Sequence, residues 1–450
     1  MNRFFSAFVA AIAGLLIVSC SGETVDYSEP PVTKPDPSEP SDPSEPSEPS
    51  EPSEPSVELP SALPEVASPS TATAPLSSIP HEAVEGFNDF AWRFYLANSA
   101  QGHENVCVSP LSVGAVLGMI ANGDDGAARD EILKTLGLGQ GKEGLNTLNV
   151  FYQTLLSNLP NIEEGITCDV TNTLWCDPSI LIRQSFMQTI TDSYYAYGIG
   201  INPAGENGRK AINEFVDKNT NGLIKNFLSS PLDGSLAFLN TLYFKAGWTV
   251  AFDKYATSKR TFLNIDGKEK ETDFMFRGEM MEYARTEDGT EAVRLNYGTQ
   301  GQFSITCVLP SSMINHIPLD EALDSDNIKS LNRGMKDEHV MMWLPKFEIE
   351  SNNPHTIDVL KHLGLENVGS GSQPFGLIAD QRNFYLQCFI HATKLKVDEN
   401  GTEGAAVSLG GMTEGENSSI REIIFDRPFI FYIQENTTGT ILFIGSVKTF

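Results

Sequence analysis

Between residues 38 and 56 the chain reads SEPSDPSEPSEPSEPSEPS, with Pro at every third position. Pro fixes φ and has no backbone N–H, so this run enters neither a helix nor a central strand. Its period matches the three-residue turn of polyproline II, and its carboxylates repel one another. Whatever folds must therefore lie downstream. Residues 1–80 hold 15 of the 26 Pro and carry a charge of −10 of the total −28, leaving −18 for residues 81–450. The first 80 residues read as a leader and the remaining stretch as one acidic globular body. A body of that sign repels phosphate and anionic headgroups, which excludes nucleic-acid binding through a basic surface. It also argues against a polyanionic activator.

The leader itself divides. Arg3 precedes an apolar run from Phe4 to Val18 that is too short to span a bilayer comfortably. The run ends in Ile17-Val18-Ser19-Cys20, which resembles a bacterial lipobox. That resemblance implies a signal peptide over 1–19, export by the Sec route and diacylglycerol on Cys20, hence a membrane partner and a place in the outer envelope, at the surface or in the periplasm. The plainer reading is ordinary secretion, with Cys20 lost in the cleaved peptide. Residues 20–80 are then a spacer, on the order of 190 Å if fully extended.

Catalytic signatures are missing from the body. We find no G-x-S-x-G, S-x-x-K, H-E-x-x-H or phosphate-cradling G-x-x-x-x-G-K-[ST]. His355 and His362 have no carboxylate at ligand spacing and read as surface or helix-end residues, so no metal and no cofactor are expected. Cys107, Cys307 and Cys388 sit in apolar runs and read as buried small hydrophobes. Cys168 and Cys176, eight apart in TCDVTNTLWC, would lie ~26 Å apart on one strand and cannot bridge. The chain is not expected to be an enzyme.

Periodicity predicts a helix over 82–98, a strand at 105–108 that breaks at Ser109-Pro110 into a buried helix, and another helix over 124–138. Strands are expected at 236–252, 302–309 and 340–349, with a hairpin loop at Glu435–Gly439 near the C-terminus. Helices early, strands late and no regular βαβ alternation argue an α+β fold.

Five segments in order then resemble one family. They are NVCVSPLSVGAVLGM, AINEFVDKNTNGLI, LNTLYFKAGWTVAFD, VDENGTEGAAVS and IIFDRPFIFYI. Together they resemble the serpins over residues 82–450. The resemblance implies a serpin domain over 81–450, with helices packed on three β-sheets and an exposed reactive-centre loop at about 399–422. It implies a monomeric suicide inhibitor of serine or cysteine endopeptidases, whose cut loop inserts into the central sheet. Asn240 and Trp248 would sit at the top of that sheet, where insertion begins; each also fits a plain core role. The loop hinge would comprise Glu399, Gly401, Thr402, Glu403, Gly404, Ala405, Ala406 and Ser408. Alternation places Thr402, Gly404, Ala406 and Ser408 on one face, all small and uncharged, as burial between two strands requires. Gly404 stands where most inhibitory members carry Ala. Counting from Glu399 puts the scissile bond after Gly415; counting back from Phe425 points nearer Asn417. The stretch Glu414-Gly415-Glu416-Asn417 has no Arg or Lys, so an elastase-like or Glu-specific protease is the expected partner. The alternative is a non-inhibitory binding or carrier serpin.

Overall fold

The computed structural model describes residues 63–68, 74–100, 102, 104–311, 325–353, 355–369, 374–380, 384–386, 389–402 and 420–450. Helix α1, His81–Ser99, buries Phe87, Phe90, Ala91 and Phe94, the face its spacing predicts. Strand β1, Val106–Val108, ends at Ser109, whose hydroxyl accepts from Ser112 N and caps helix α2, Pro110–Ala121. Helix α2 is buried on nearly every side. Gly114 and Gly118 leave room for two tyrosines, since a Cβ there would stand 2.3 Å from Tyr152 Oη and 2.4 Å from Tyr194 Oη. Tyr152 belongs to helix α4, Gly141–Asn158, and Tyr194 ends helix α5, Gln184–Tyr194. Helix α3, Ala127–Thr135, is shorter than the predicted 124–138 because Gly126 and a positive-φ Gly137 bound it. Helix α6, Gly205–Asn219, completes the N-terminal half, and short helices at 325–334, 356–362 and 366–369 follow.

The strands form two hydrogen-bonded sheets among the described residues. The first joins β10 (Phe347–Asn353), β11 (His391–Asp398), β12 (Gly401–Thr402), β4 (Leu236–Gly247), β2 (Thr167–Cys176) and β3 (Tyr197–Ile199), in that order. The second runs β1, β15 (Ile441–Val447), β14 (Phe429–Glu435), β8 (Phe303–Leu309), β7 (Glu291–Tyr297), β6 (Glu269–Arg285), β9 (Lys336–Pro345) and β13 (Arg421–Ile424), with β5 (Ser258–Leu263) also on β6. The expected second and third sheets are continuous through β6, whose residues 282–285 pair β7 while residues 274–283 pair β9.

Strands β14 and β15 are buried along their whole length, which is why they read as unbroken apolar runs. Their turn carries the buried Glu435 carboxylate, which accepts from Thr437 N and Thr438 N, and Gly439 at φ +79° closes it. The 340–349 segment is not one strand. Pro345 ends β9 in the large sheet, and Phe347 begins β10 in the other. Cys107, Cys168, Cys176 and Cys307 are buried free thiols, and burial pushes their pKa values up, to about 12 for Cys107 and about 11 for Cys176. They behave as core atoms. Cys388 lies outside the described residues, and His355 and His362 are exposed at the two ends of one short helix.

Within the span expected to be spacer, residues 63–68 and 74–79 lie against the body, with Leu76 and Ile79 buried. The lipobox, Cys20 and the Ser-Glu-Pro run lie outside the described residues.

Candidate functional site

The site is the head of the six-stranded sheet, where β4 and β11 part. Strand β11 alternates strictly, with His391, Thr393, Leu395 and Val397 inward. The chain then turns through Glu399-Asn400, where Asp398 Oδ1 accepts from Asn400 N at 2.8 Å. It re-enters the sheet as Gly401-Thr402. Thr402 lies opposite Val397 on β11 and Ala246 on β4; Gly401 lies opposite Asp398 and Gly247. Among the described residues these two are the only link between β4 and β11 in the sheet.

Only Gly fits at the entry point. Gly401 has φ +142°, and a Cβ there would stand 2.1 Å from Ala246 O. Thr402 is fully buried, and its hydroxyl shares a 2.7 Å hydrogen bond with Tyr297 Oη. Tyr297 in turn stacks on Trp248, with centroids 4.6 Å apart and planes 11° from parallel.

The turn is held by three backbone acceptors. Trp248 Nε1 donates to Asp398 O at 2.9 Å, Trp248 N to Asn400 O at 3.1 Å, and Phe252 N to Glu399 O at 3.0 Å. The Glu399 carboxylate accepts from Thr257 Oγ1 at 2.8 Å and lies 3.3 Å from Lys346 Nζ. Burial alone would raise its pKa, but its own N–H, Thr257 and Lys346 outweigh burial and hold it below the usual carboxylate value. Trp248 therefore occupies the head of the sheet.

Asn240 does not. It lies seven residues down β4 from Gly247, ~23 Å at strand rise, opposite Asn172 on β2. A twelve-residue strand cannot bring both ends to one pole. Asn240 Nδ2 donates to Asn172 Oδ1 at 2.8 Å, and Asn172 Nδ2 donates to Tyr194 O. The buried Asn240 Oδ1 and Thr241 Oγ1 have no partner among the described residues. Both line a cavity of about 640 Å³ between β4 and β11 that also touches His391, Thr393 and Phe389. His391 Nε2 accepts from Ser109 N at 2.9 Å, and burial lowers its pKa to about 4, so the ring is neutral.

The far end of the loop is pinned separately. Strand β13 runs parallel to β9, and Arg421 Nε donates to Glu338 Oε2 at 2.7 Å. Between the two anchors, Glu403, Gly404, Ala405, Ala406 and Ser408 of the expected hinge, and Glu414, Gly415, Glu416 and Asn417 of the expected scissile region, lie outside the described residues. Tyr297, Thr257 and Lys346 were not singled out from sequence. Tyr297 sits 105 residues from Thr402, and no local pattern joins two hydroxyls at that distance.

Among the described residues no group of three or more His, Cys, Asp or Glu could hold a metal ion. The comparisons with known proteins agree on one family. The family model described as serpin (serine protease inhibitor) matches residues 85–449. Serpin-Z2B of Triticum aestivum is 32% identical over 384 residues, covering 80% of this chain and 94% of that protein. Iripin-1 of Ixodes ricinus is 28% identical over 371 residues, covering 80% and 93%. Among solved structures, the native state of the thermophilic serpin tengpin superposes with a TM-score of 0.74 at 26% identity, covering 86% of this chain and 98% of that one. With a parted central sheet, a glycine-led re-entrant strand and this match over nearly the whole body, the chain belongs to the serpin family.

Proposed function

We propose that this chain is a suicide inhibitor of serine or cysteine endopeptidases. The observation that supports it is the Gly401-Thr402 strand, seated between β4 and β11 with Thr402 wholly buried. That is the first rung of a strand added to a sheet. In the proposed sequence the protease nucleophile attacks a carbonyl within Glu414–Asn417 and forms an acyl-enzyme, with the downstream segment as leaving group. The freed end follows Thr402 into the sheet. Glu403 and Ala405 face outward; Gly404, Ala406 and Ser408 face inward, where their small side chains fit. About 15 residues at ~3.3 Å each carry the acylated protease on the order of 50 Å. The target pocket is elastase-like or Glu-specific, from the residues at the cut. Cys20 carries the lipid that holds the molecule to a bacterial envelope after export, and the inhibitor acts as a monomer.

Incubation with elastase-like, subtilisin-like and Glu-specific proteases should give SDS-stable complexes. Cleavage by all of them, with each protease leaving active, would refute the trap. A carrier that keeps the fold without the switch would show no rise in melting midpoint after the loop is nicked. Acyl labelling that is lost in Cys20→Ser tests the anchor.

A further inference from the structure

Ahead of the family-matched body, residues 63–68 lie along α5 and beside β3. Gln188 grips the main chain of Ala67 at both ends: Ala67 N donates to Gln188 Oε1 at 2.9 Å, and Gln188 Nε2 donates to Ala67 O at 3.1 Å. Gln184 Nε2 donates to Glu65 O at 3.3 Å. Two glutamines four residues apart on a helix are separated by a rise of ~6 Å, and alternate residues of an extended chain by ~6.6 Å. The helix thus reads every second carbonyl of the segment. Asp192 Oδ1 accepts from Gln188 Nε2 at 2.9 Å and fixes that amide.

Side chains complete the fit. Leu63 and Val66, three residues apart, both pack against the main core. Leu63 lies over Gly198 on β3, where a Cβ would stand 2.6 Å from Leu63 Cδ1. Pro64 restricts both its own φ and the conformation of Leu63, so less entropy is lost on docking. Glu65 and Ala67 point outward and carry no selectivity.

We infer that the α5–β3 face is a peptide-docking groove whose ligand is the chain's own Leu63–Ser68 segment. It selects an extended peptide with apolar residues at its first and fourth positions, and it reads the intervening main chain through Gln184 and Gln188. The occupant is tethered to the site through residues 69–80, so a docking free energy too weak for a free peptide suffices in cis. This holds whether or not the loop inserts.

The test is residue-resolved amide hydrogen exchange on the full chain. The Ala67 amide should exchange at least about tenfold more slowly than an unstructured amide, since it is hydrogen-bonded only when docked. Gln188→Ala, Gly198→Val and the double variant Leu63→Asp/Val66→Asp should each abolish that protection. The amide of Ile433, buried in β14, should stay protected in all of them, which excludes global unfolding as the cause. Free exchange of Ala67 in the parent chain, or protection that survives both Gly198→Val and the double variant, would overturn the inference. Protection that rises with protein concentration would place the segment on a second copy and overturn docking in cis.

Discussion

On the proposed trapping mechanism, replacing Thr402 with Arg should turn the chain from an inhibitor into a substrate. Thr402 is fully buried between Val397 and Ala246, and its one polar atom is satisfied by Tyr297 Oη. An Arg there must bring a guanidinium into the seam, where the residues opposite offer no carboxylate. Burying an unpaired charge costs several kcal/mol. If only about 2.7 kcal/mol of that cost appears in the barrier to insertion, insertion slows ~100-fold. Trapping competes with hydrolysis of the acyl-enzyme, so a hundredfold delay moves nearly all flux to hydrolysis. The assay is the stoichiometry of inhibition against a protease that the parent chain traps, read together with the ratio of complex to cleaved chain on a denaturing gel. Thr402→Val is the control. It keeps shape and loses only the hydrogen bond, leaving the Tyr297 hydroxyl unpaired at ~1–3 kcal/mol, so it should trap with intermediate efficiency. If Thr402→Arg still traps one protease per molecule, burial of Thr402 is not on the route to trapping.

Two further perturbations act elsewhere along the β10–β11 side of the same sheet and its turn. Glu399→Lys sets two ammonium groups against each other where Thr257 and Lys346 now hold a carboxylate; the Lys346 end is part-exposed, so we expect a loss of about 2 kcal/mol, read as a lower urea midpoint. His391 supplies a pH dependence: its pKa is depressed from 6.5 to about 4, so the folded chain holds the neutral ring and the unfolded chain binds the proton first. That contribution is complete above pH ~6.5, falls as the pH drops toward 4, and is worth up to about 3 kcal/mol. His391→Gln should flatten urea midpoints measured across that window, and an unchanged slope would remove His391 as the cause.

Segments whose partners lie close in sequence, or whose environment is uniform, were legible. Ser109-Pro110 announces its own helix start, Glu435–Gly439 its own turn, and β14 and β15 are buried on both faces. Strand β6 was not legible, because along its seventeen residues the pairing partner changes from β5 to β9 to β7 and burial loses its two-residue period. The place of Asn240 was misjudged for a related reason. A motif gives order along the chain, whereas height in a sheet depends on strand length and register. Glu399, Gly401, Thr402 and Trp248 were singled out from sequence, but Tyr297, Thr257 and Lys346, which touch them, were not, since they come from separate parts of the chain. The docked segment at 63–68 gave no signal either, because its recognition is mostly main chain and any extended stretch with two apolar side chains looks alike.

That docked segment has a mechanical consequence. Gly198, under Leu63, pairs at the level of Leu174 on β2, which faces Phe238, nine residues along β4 from Gly247. At strand rise this is ~30 Å from the rung where Gly401 enters. A pull on the chain upstream of Leu63 is therefore delivered near the pole opposite the hinge, and it meets first a handful of side-chain hydrogen bonds and two apolar contacts. These give way before the continuous ladder of β2 and β4 feels the load. Under such a pull the segment would act as a mechanical fuse for the β4–β11 seam.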